Sequence, residues 1–269
     1  MNKIISLFLI ACFCCLSFAA PYSDPNKTKM NITVTTANIG EIVKAVGGDK
    51  VDVYIMIKPL MCPSDYDITP QAVEKAEKSN LILSHKWEKW VNKLKLEVGD
   101  LGKLYKTIET DGNWMIPYIH IRAAEEIKSL LVSLDEENAK YYEENYTQYA
   151  YEVNFAASVV KKELEKAYGV KVMSNFQVKD FLENYGFDVV AVYGKSGELS
   201  AKRLSYLIKE GKKDKIKLVI DSLQMGASAG RELAKNTGAK QIAISSFILG
   251  KSYVNTLKDN VARLKKALE

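Results

Sequence analysis

The sequence predicts an α/β protein of two parallel-sheet α/β lobes joined by a long rigid linker helix. Three observations predict it: strands alternate with helices in the first part, an unbroken helical stretch follows, and the alternation then returns. Residues 32–36 read as a strand, 39–46 as a helix closed by Gly47 and Gly48, and 51–57 as a second strand. Thr69 and Pro70 mark a helix start, a hydroxyl to cap free amides followed by a ring whose fixed φ suits the first turn; this helix runs to Lys78. Residues 81–83 form the next strand. From 135 to 168 there is neither Gly nor Pro, and at ~1.5 Å per residue even part of such a helix crosses a lobe. Gly169 ends it. Strands at 170–173, 189–192, 217–221 and 241–244 then alternate with helices at 178–184, 200–211, 229–237 and from Tyr253 onward. The expected organisation is a signal segment at 1–20, a spacer at 21–30, an N-terminal lobe at 31–137, a linker helix at 138–168 and a C-terminal lobe at 169–269. Parallel sheets bind ligands beyond the carboxyl ends of their strands, so the expected site is a cleft between the lobes.

Lys3, the apolar run 4–18 and Ser17-Phe18-Ala19-Ala20 have the form of a secretory signal peptide. The run is shorter than the ~18 apolar residues of a spanning helix. Leu9-Ile10-Ala11-Cys12 fits a lipobox, in which Cys12 becomes a lipidated N-terminus at the membrane surface; alternatively Cys12, Cys14 and Cys15 fill the hydrophobic region. Beyond them only Cys62 remains, too few for an internal disulfide. An exported chain is expected, periplasmic or on the outer face of the cytoplasmic membrane, and monomeric. The net charge of +5 is spread over helix-face lysines such as Lys161, Lys162, Lys212 and Lys213 with no aromatic interleaving, which argues against a nucleic-acid partner.

Enzyme motifs fail on inspection. Gly226-Ala227-Ser228-Ala229-Gly230 has the form of a nucleophile elbow, but no histidine follows Ser228 to serve as base. Gly194-Lys195-Ser196 lacks the earlier glycine of a phosphate loop, since position 189 is Val189. No nucleophile, base and orienting group can be named together, so no enzyme is expected.

Several segments follow one another in a familiar order: Val34-Thr35-Thr36, then Gly48-Asp49-Lys50-Val51, then Pro63-Ser64-Asp65-Tyr66-Asp67-Ile68-Thr69-Pro70. Ser79-Asn80-Leu81-Ile82-Leu83, Phe181-Leu182-Glu183-Asn184-Tyr185-Gly186-Phe187, Gly197-Glu198-Leu199-Ser200 and Leu233-Ala234-Lys235-Asn236-Thr237-Gly238 continue it. Together they resemble the zinc- and manganese-type (cluster A-I) solute-binding proteins of ABC importers. The resemblance implies an extracytoplasmic binding protein that hands a ligand to an ABC permease and its ATPase. It also implies four loop positions for metal-ligating histidines and a carboxylate.

At those positions this chain differs. Ser64 stands in the first loop, Asn113 in the second, Asn175 with Gln177 nearby in the third, and Ser222 or Ser245 at the fourth; His85 and His120 are the only histidines. Zinc prefers about four nitrogen, sulfur or carboxylate donors, and neutral amides and hydroxyls replace them poorly. Such groups instead fix a polar molecule or an oxyanion by hydrogen bonds, with Tyr66, Trp114 and Phe176 as apolar walls. The expected ligand residues are Ser64, Tyr66, Asn113, Trp114, Asn175, Gln177, Ser222, Gln224 and Ser245. Substitution of the polar ones is expected to weaken binding while leaving the melting temperature nearly unchanged. A transition metal is the alternative, copper(I) held by Cys62, Met225, His85 and Asp221. A third reading is a surface adhesion protein that keeps the scaffold and has lost its ligand.

Overall fold

A computed structural model describes residues 29–99 and 105–269. The signal segment with Cys12, and most of the expected spacer, lie outside the described residues. The N-terminal lobe runs β1 (Met30–Val34), α1 (Ala37–Gly47), β2 (Val51–Ile55), α2 (Pro70–Glu77), β3 (Leu81–His85), α3 (Val91–Val98), β4 (Tyr105–Ile108) and α4 (Pro117–Leu134). Helix α5 (Ala139–Glu163) leads to the second lobe: β5 (Lys171–Asn175), α6 (Lys179–Asn184), β6 (Asp188–Tyr193), α7 (Ala201–Asp214), β7 (Leu218–Ser222), α8 (Ser228–Thr237), β8 (Lys240–Ile244) and α9 (Tyr253–Leu268).

The two sheets share one topology, β2-β1-β3-β4 and β6-β5-β7-β8, with every pairing parallel. Helices cover both faces, so the inner strands β3 and β7 are buried along their whole length: Leu81-Ile82-Leu83-Ser84-His85 and Leu218-Val219-Ile220-Asp221-Ser222 hold no exposed residue. In each sheet the winding reverses between the first and third strands, which opens a crevice at their carboxyl ends. The crevice beyond β1 and β3 faces the one beyond β5 and β7.

Helix α5 is about 37 Å long at 1.5 Å per residue and packs on α1 and α4 of one lobe and α9 of the other. Its buried stripe, Tyr142, Tyr149, Val153, Ala156 and Val160, follows helical spacing. The helical stretch expected from 135 is interrupted. The Asp135 carboxylate accepts from Asn138 Nδ2 at 2.6 Å and from the Tyr142 hydroxyl at 2.7 Å, which holds a 3₁₀ turn at Glu136–Asn138 between α4 and α5. At the other end α5 stops at Glu163 and a second 3₁₀ turn, Glu165–Ala167, completes the stretch.

One apolar cluster runs from Ile32 and Ile42 through Tyr149 and Val153 to Tyr253 and Leu264, so the lobes share a core. Polar bonds fasten the same seam. The Tyr253 amide donates to Glu41 at 3.0 Å, its hydroxyl donates to the Met115 carbonyl at 2.8 Å, and its ring stacks on His120 at 3.8 Å. His120, fully buried, meets the Tyr149 hydroxyl at 2.6 Å and donates from Nδ1 to the Trp114 carbonyl at 3.1 Å; Tyr149 in turn donates to Glu41. Burial alone would raise the Glu41 pKa, but the bond and charge of His120, with Tyr149 and the Tyr253 amide, bring it below the usual range. His120 therefore packs and bonds inside this joint.

Candidate ligand cleft

The facing crevices enclose a cavity of about 310 Å³. Its N-terminal wall is built from Asn38 at the start of α1, His85 and Trp87 at the end of β3, and Asn113 with Trp114 before α4; its C-terminal wall is Phe176, Gln177 and Asp180 after β5, and Ser246 and Phe247 after β8. Five of the residues named from sequence line it: His85, Asn113, Trp114, Phe176 and Gln177.

Several of the others lie one layer down and hold the loops. Gln177 Oε1 accepts from the Ser222 hydroxyl at 2.9 Å and the Ser246 hydroxyl at 3.0 Å. Gln224, buried, accepts from the Ser246 amide at 3.1 Å and donates to Ser245 at 2.9 Å and to the Pro59 carbonyl of the facing lobe at 3.2 Å. Asn113 Nδ2 donates across the cleft to the Gln177 carbonyl at 2.9 Å. Asn175 is turned back to cap its own 3₁₀ turn, accepting from the Gln177 amide at 3.0 Å. These bonds correct the expectation that substitution would spare the melting temperature. Removing Gln224, Ser222 or Asn113 breaks protein–protein hydrogen bonds, and a buried partner left unpaired costs about 1–3 kcal/mol.

In the first loop, Ser64 is exposed and bonds to Cys62 Sγ at 3.0 Å and to Asp65. Tyr66 turns away from the cleft to pack on Trp90 at 4.8 Å, so it is not a wall. Asp65 carries the loop's interlobe ion pair, with Lys195 at 2.6 Å, which holds its carboxyl below the usual range.

The four metal candidates do not converge. Cys62 Sγ and Met225 Sδ meet at 3.8 Å across the lobes. His85 is buried rather than exposed; Nε2 is paired with the Thr36 hydroxyl at 2.9 Å, and its ring stacks on Trp87 at 5.0 Å and meets the edge of Trp114 at 4.4 Å. Burial pulls its pKa down to about 3, so the ring is neutral at physiological pH. Asp221 is wholly buried, accepting from Tyr193 at 2.8 Å and Gln241 at 2.6 Å. A Cβ on Gly230 would stand 2.2 Å from that carboxylate. Gly230→Ala is expected to cost about 2 kcal/mol or more in chemical denaturation, since the carboxylate must leave two bonds to make room. Among the described residues no three His, Cys, Asp or Glu side chains are grouped to hold a metal ion.

The family ZnuA, zinc-uptake complex component A periplasmic, matches residues 32–267. The chain belongs to this family. The zinc-binding lipoprotein AdcA of Streptococcus pneumoniae is 26% identical over 99% of this chain, which spans 61% of that protein's length. The high-affinity zinc uptake system protein ZnuA of Bacillus subtilis is 22% identical, covering 98% of this chain and 96% of its own. A crystal structure of ZnuA superposes with a TM-score of 0.77 at 20% identity, over 90% of this chain and 100% of that one. The periplasmic metal binding protein of Candidatus Liberibacter asiaticus superposes equally well, with a TM-score of 0.77 at 19% identity and the same coverage. The two-lobed fold read from the sequence is that of the ZnuA family. The cleft, however, offers amides, hydroxyls, one carboxylate and a histidine already paired to Thr36, which fits a zinc-type donor set poorly.

Sequence reasoning missed Asn38, Trp87, Asp180, Ser246 and Phe247 as lining residues. For Asn38 a signal existed, an amide among Ala37, Ile39 and Gly40 on an otherwise apolar helix start, and the structure shows it 2% exposed with Oδ1 accepting from the Ile248 amide at 2.8 Å. Of the remaining four, Trp87, Ser246 and Phe247 lie in loops and Asp180 stands in the first turn of α6, and their meeting depends on both lobes.

Proposed function

We propose that this chain is an extracytoplasmic solute-binding protein that captures a small organic molecule in the interlobe cleft and presents it to an ABC permease and its ATPase. The carrying observation is the cavity itself, set at the paired switch points of two sheets, walled by aromatic rings and floored by amide and hydroxyl groups. Its openness counts against the adhesion reading, which needs a filled pocket. An oxyanion is disfavoured, because among the described residues no lysine or arginine lines the cavity.

The test is thermal unfolding of the mature domain with and without a chelator, against divalent metals, copper(I), oxyanions and small metabolites. A melting-temperature rise with a metabolite that persists in chelator supports the reading. Phe176, half exposed on the C-terminal wall, is the residue to vary: Phe176→Ala is expected to weaken binding about tenfold and leave the unliganded melting temperature nearly unchanged. Silence from every ligand class would sink the transport reading. A second reading has one observation in its favour, the Cys62–Met225 sulfur pair, which suits a soft cation. For it, the rise would come with copper(I) and disappear both on chelation and in Cys62→Ser.

A further inference from the structure

We infer that the interlobe cleft takes a compact organic cation, of the alkylammonium class, held against aromatic faces and paired with the Asp180 carboxylate. The inference rests on the solute-binding reading above and names the substrate class.

Rings come first. Trp87 and Trp114 enter the cavity from one lobe, Phe176 and Phe247 from the other. Trp87 and Phe247 meet across the cleft edge to face, with centroids 6.5 Å apart and planes at 61°. Trp87 remains 49% exposed and Phe176 50% exposed, so two large rings on opposite lobes leave about half their surface to solvent at the mouth. An exposed aromatic pair of this kind gains most from a ligand that covers the ring faces. The negative face of an aromatic quadrupole attracts a cation, tryptophan most strongly.

Charge decides among ligands that stack. Among the described lining residues Asp180 is the one carboxylate, and no lysine or arginine stands beside it in the lining. Lys179 beside it is drawn to Glu183 at 2.6 Å and stands 3.7 Å from Asp180, leaving that carboxylate only loosely paired. The nearby ion pair of Asp65 and Lys195 cancels its own charge. A cation thus meets one carboxylate and four rings, whereas an anion meets a like charge. Among the described residues Gln177 Nε2 and Asn38 Nδ2 meet no acceptor, and they can donate to a hydroxyl or carbonyl on the same molecule.

The experiment uses the mature domain with choline and tetramethylammonium as probes and 3,3-dimethylbutan-1-ol as the neutral isostere of choline. Tryptophan fluorescence reads occupancy, because Trp87 and Trp114 line the cavity, and thermal unfolding gives a second readout. The expected result is saturable quenching by choline, binding of the alcohol weaker by about tenfold or more, and a comparable loss in Trp87→Leu and Asp180→Asn. Equal binding of the alcohol, unchanged affinity in Asp180→Asn, or silence with both cations would overturn the inference. If both cations are silent while a neutral metabolite or a metal raises the melting temperature, the transport reading stands and only the cation falls. If nothing of any class raises it, both fall.

Discussion

Truncating Tyr253 to alanine lowers the unfolding free energy by about 3–5 kcal/mol, the range for removing a large buried aromatic side chain. The residue is fully buried in the core that both lobes share, and its ring is the plate on which His120 lies. Its loss opens a cavity between α1, α4 and α9 and strands the Met115 carbonyl, whose partner is the Tyr253 hydroxyl. Tyr253→Phe separates the two contributions: it keeps the ring and loses the hydrogen bond, so about 1 kcal/mol is expected. Guanidinium unfolding followed by tryptophan fluorescence and by far-ultraviolet circular dichroism measures both. The two probes should move together, because lobes with one core unfold as one unit. A loss below 1 kcal/mol in Tyr253→Ala, or separate transitions for the two probes, would contradict the shared core.

The second large effect is a pair of opposed pH dependences at the end of β3. His85 is held neutral by burial, with its pKa pulled from 6.5 down to about 3. Below pH 6.5 the unfolded chain takes up this proton and the folded chain does not, so stability falls by roughly 1.4 kcal/mol per unit until pH 3. Glu88 is its mirror. Burial raises its pKa from 4.5 to about 7, against the bonds from the Thr35 hydroxyl and the His85 amide. Its stabilising contribution is complete below pH 4.5 and is lost as pH rises through 7, again at roughly 1.4 kcal/mol per unit. Between pH 4.5 and 6.5 the two slopes cancel. In His85→Phe the Glu88 slope is exposed, and stability declines as pH rises from 4.5 to 7. In Glu88→Gln the His85 slope is exposed, and stability climbs from pH 3 to 6.5. Denaturation midpoints at half-unit intervals test this; parallel profiles for the two variants would rule it out.

Much of the fold was legible because local chemistry agreed with global architecture. Thr69 accepts from the Ala72 amide at 3.2 Å as its place before Pro70 suggested, and the apolar runs of β3 and β7 are the buried centres of their sheets. Strand β4 escaped notice because it is a four-residue edge strand, Tyr-Lys-Thr-Ile, whose lysine and threonine hide the apolar signal. The break at 135 was invisible for another reason. Asp135, Glu136 and Glu137 all tolerate a helix, and the bonds of the Asp135 carboxylate to Asn138 and Tyr142, which help to turn the chain, join side chains that the helical pattern does not mark. For the site, strand ends pointed to the right loops. Which side chain reaches the cavity depends on the facing lobe, so Gln224 and Ser222 looked equivalent to Gln177 although they lie beneath it.

The seam between the lobes is unequal from back to front, and this sets how a captive molecule leaves. At the back lies a core shared by both halves and pinned by the bonds of Tyr253, His120 and Glu41, while at the rim the ion pair of Asp65 with Lys195 spans the gap beside the Cys62–Met225 contact and the cleft-crossing bonds of Asn113 and Gln224. A solvated pair of that kind contributes at most about 1 kcal/mol and is screened over roughly 8 Å at physiological ionic strength. Escape is then a matter of the lips parting while the spine stays shut, and the surrounding electrolyte removes the ion pair's share of the resistance: residence time shortens modestly as salt is added, with no loosening of the fold behind it.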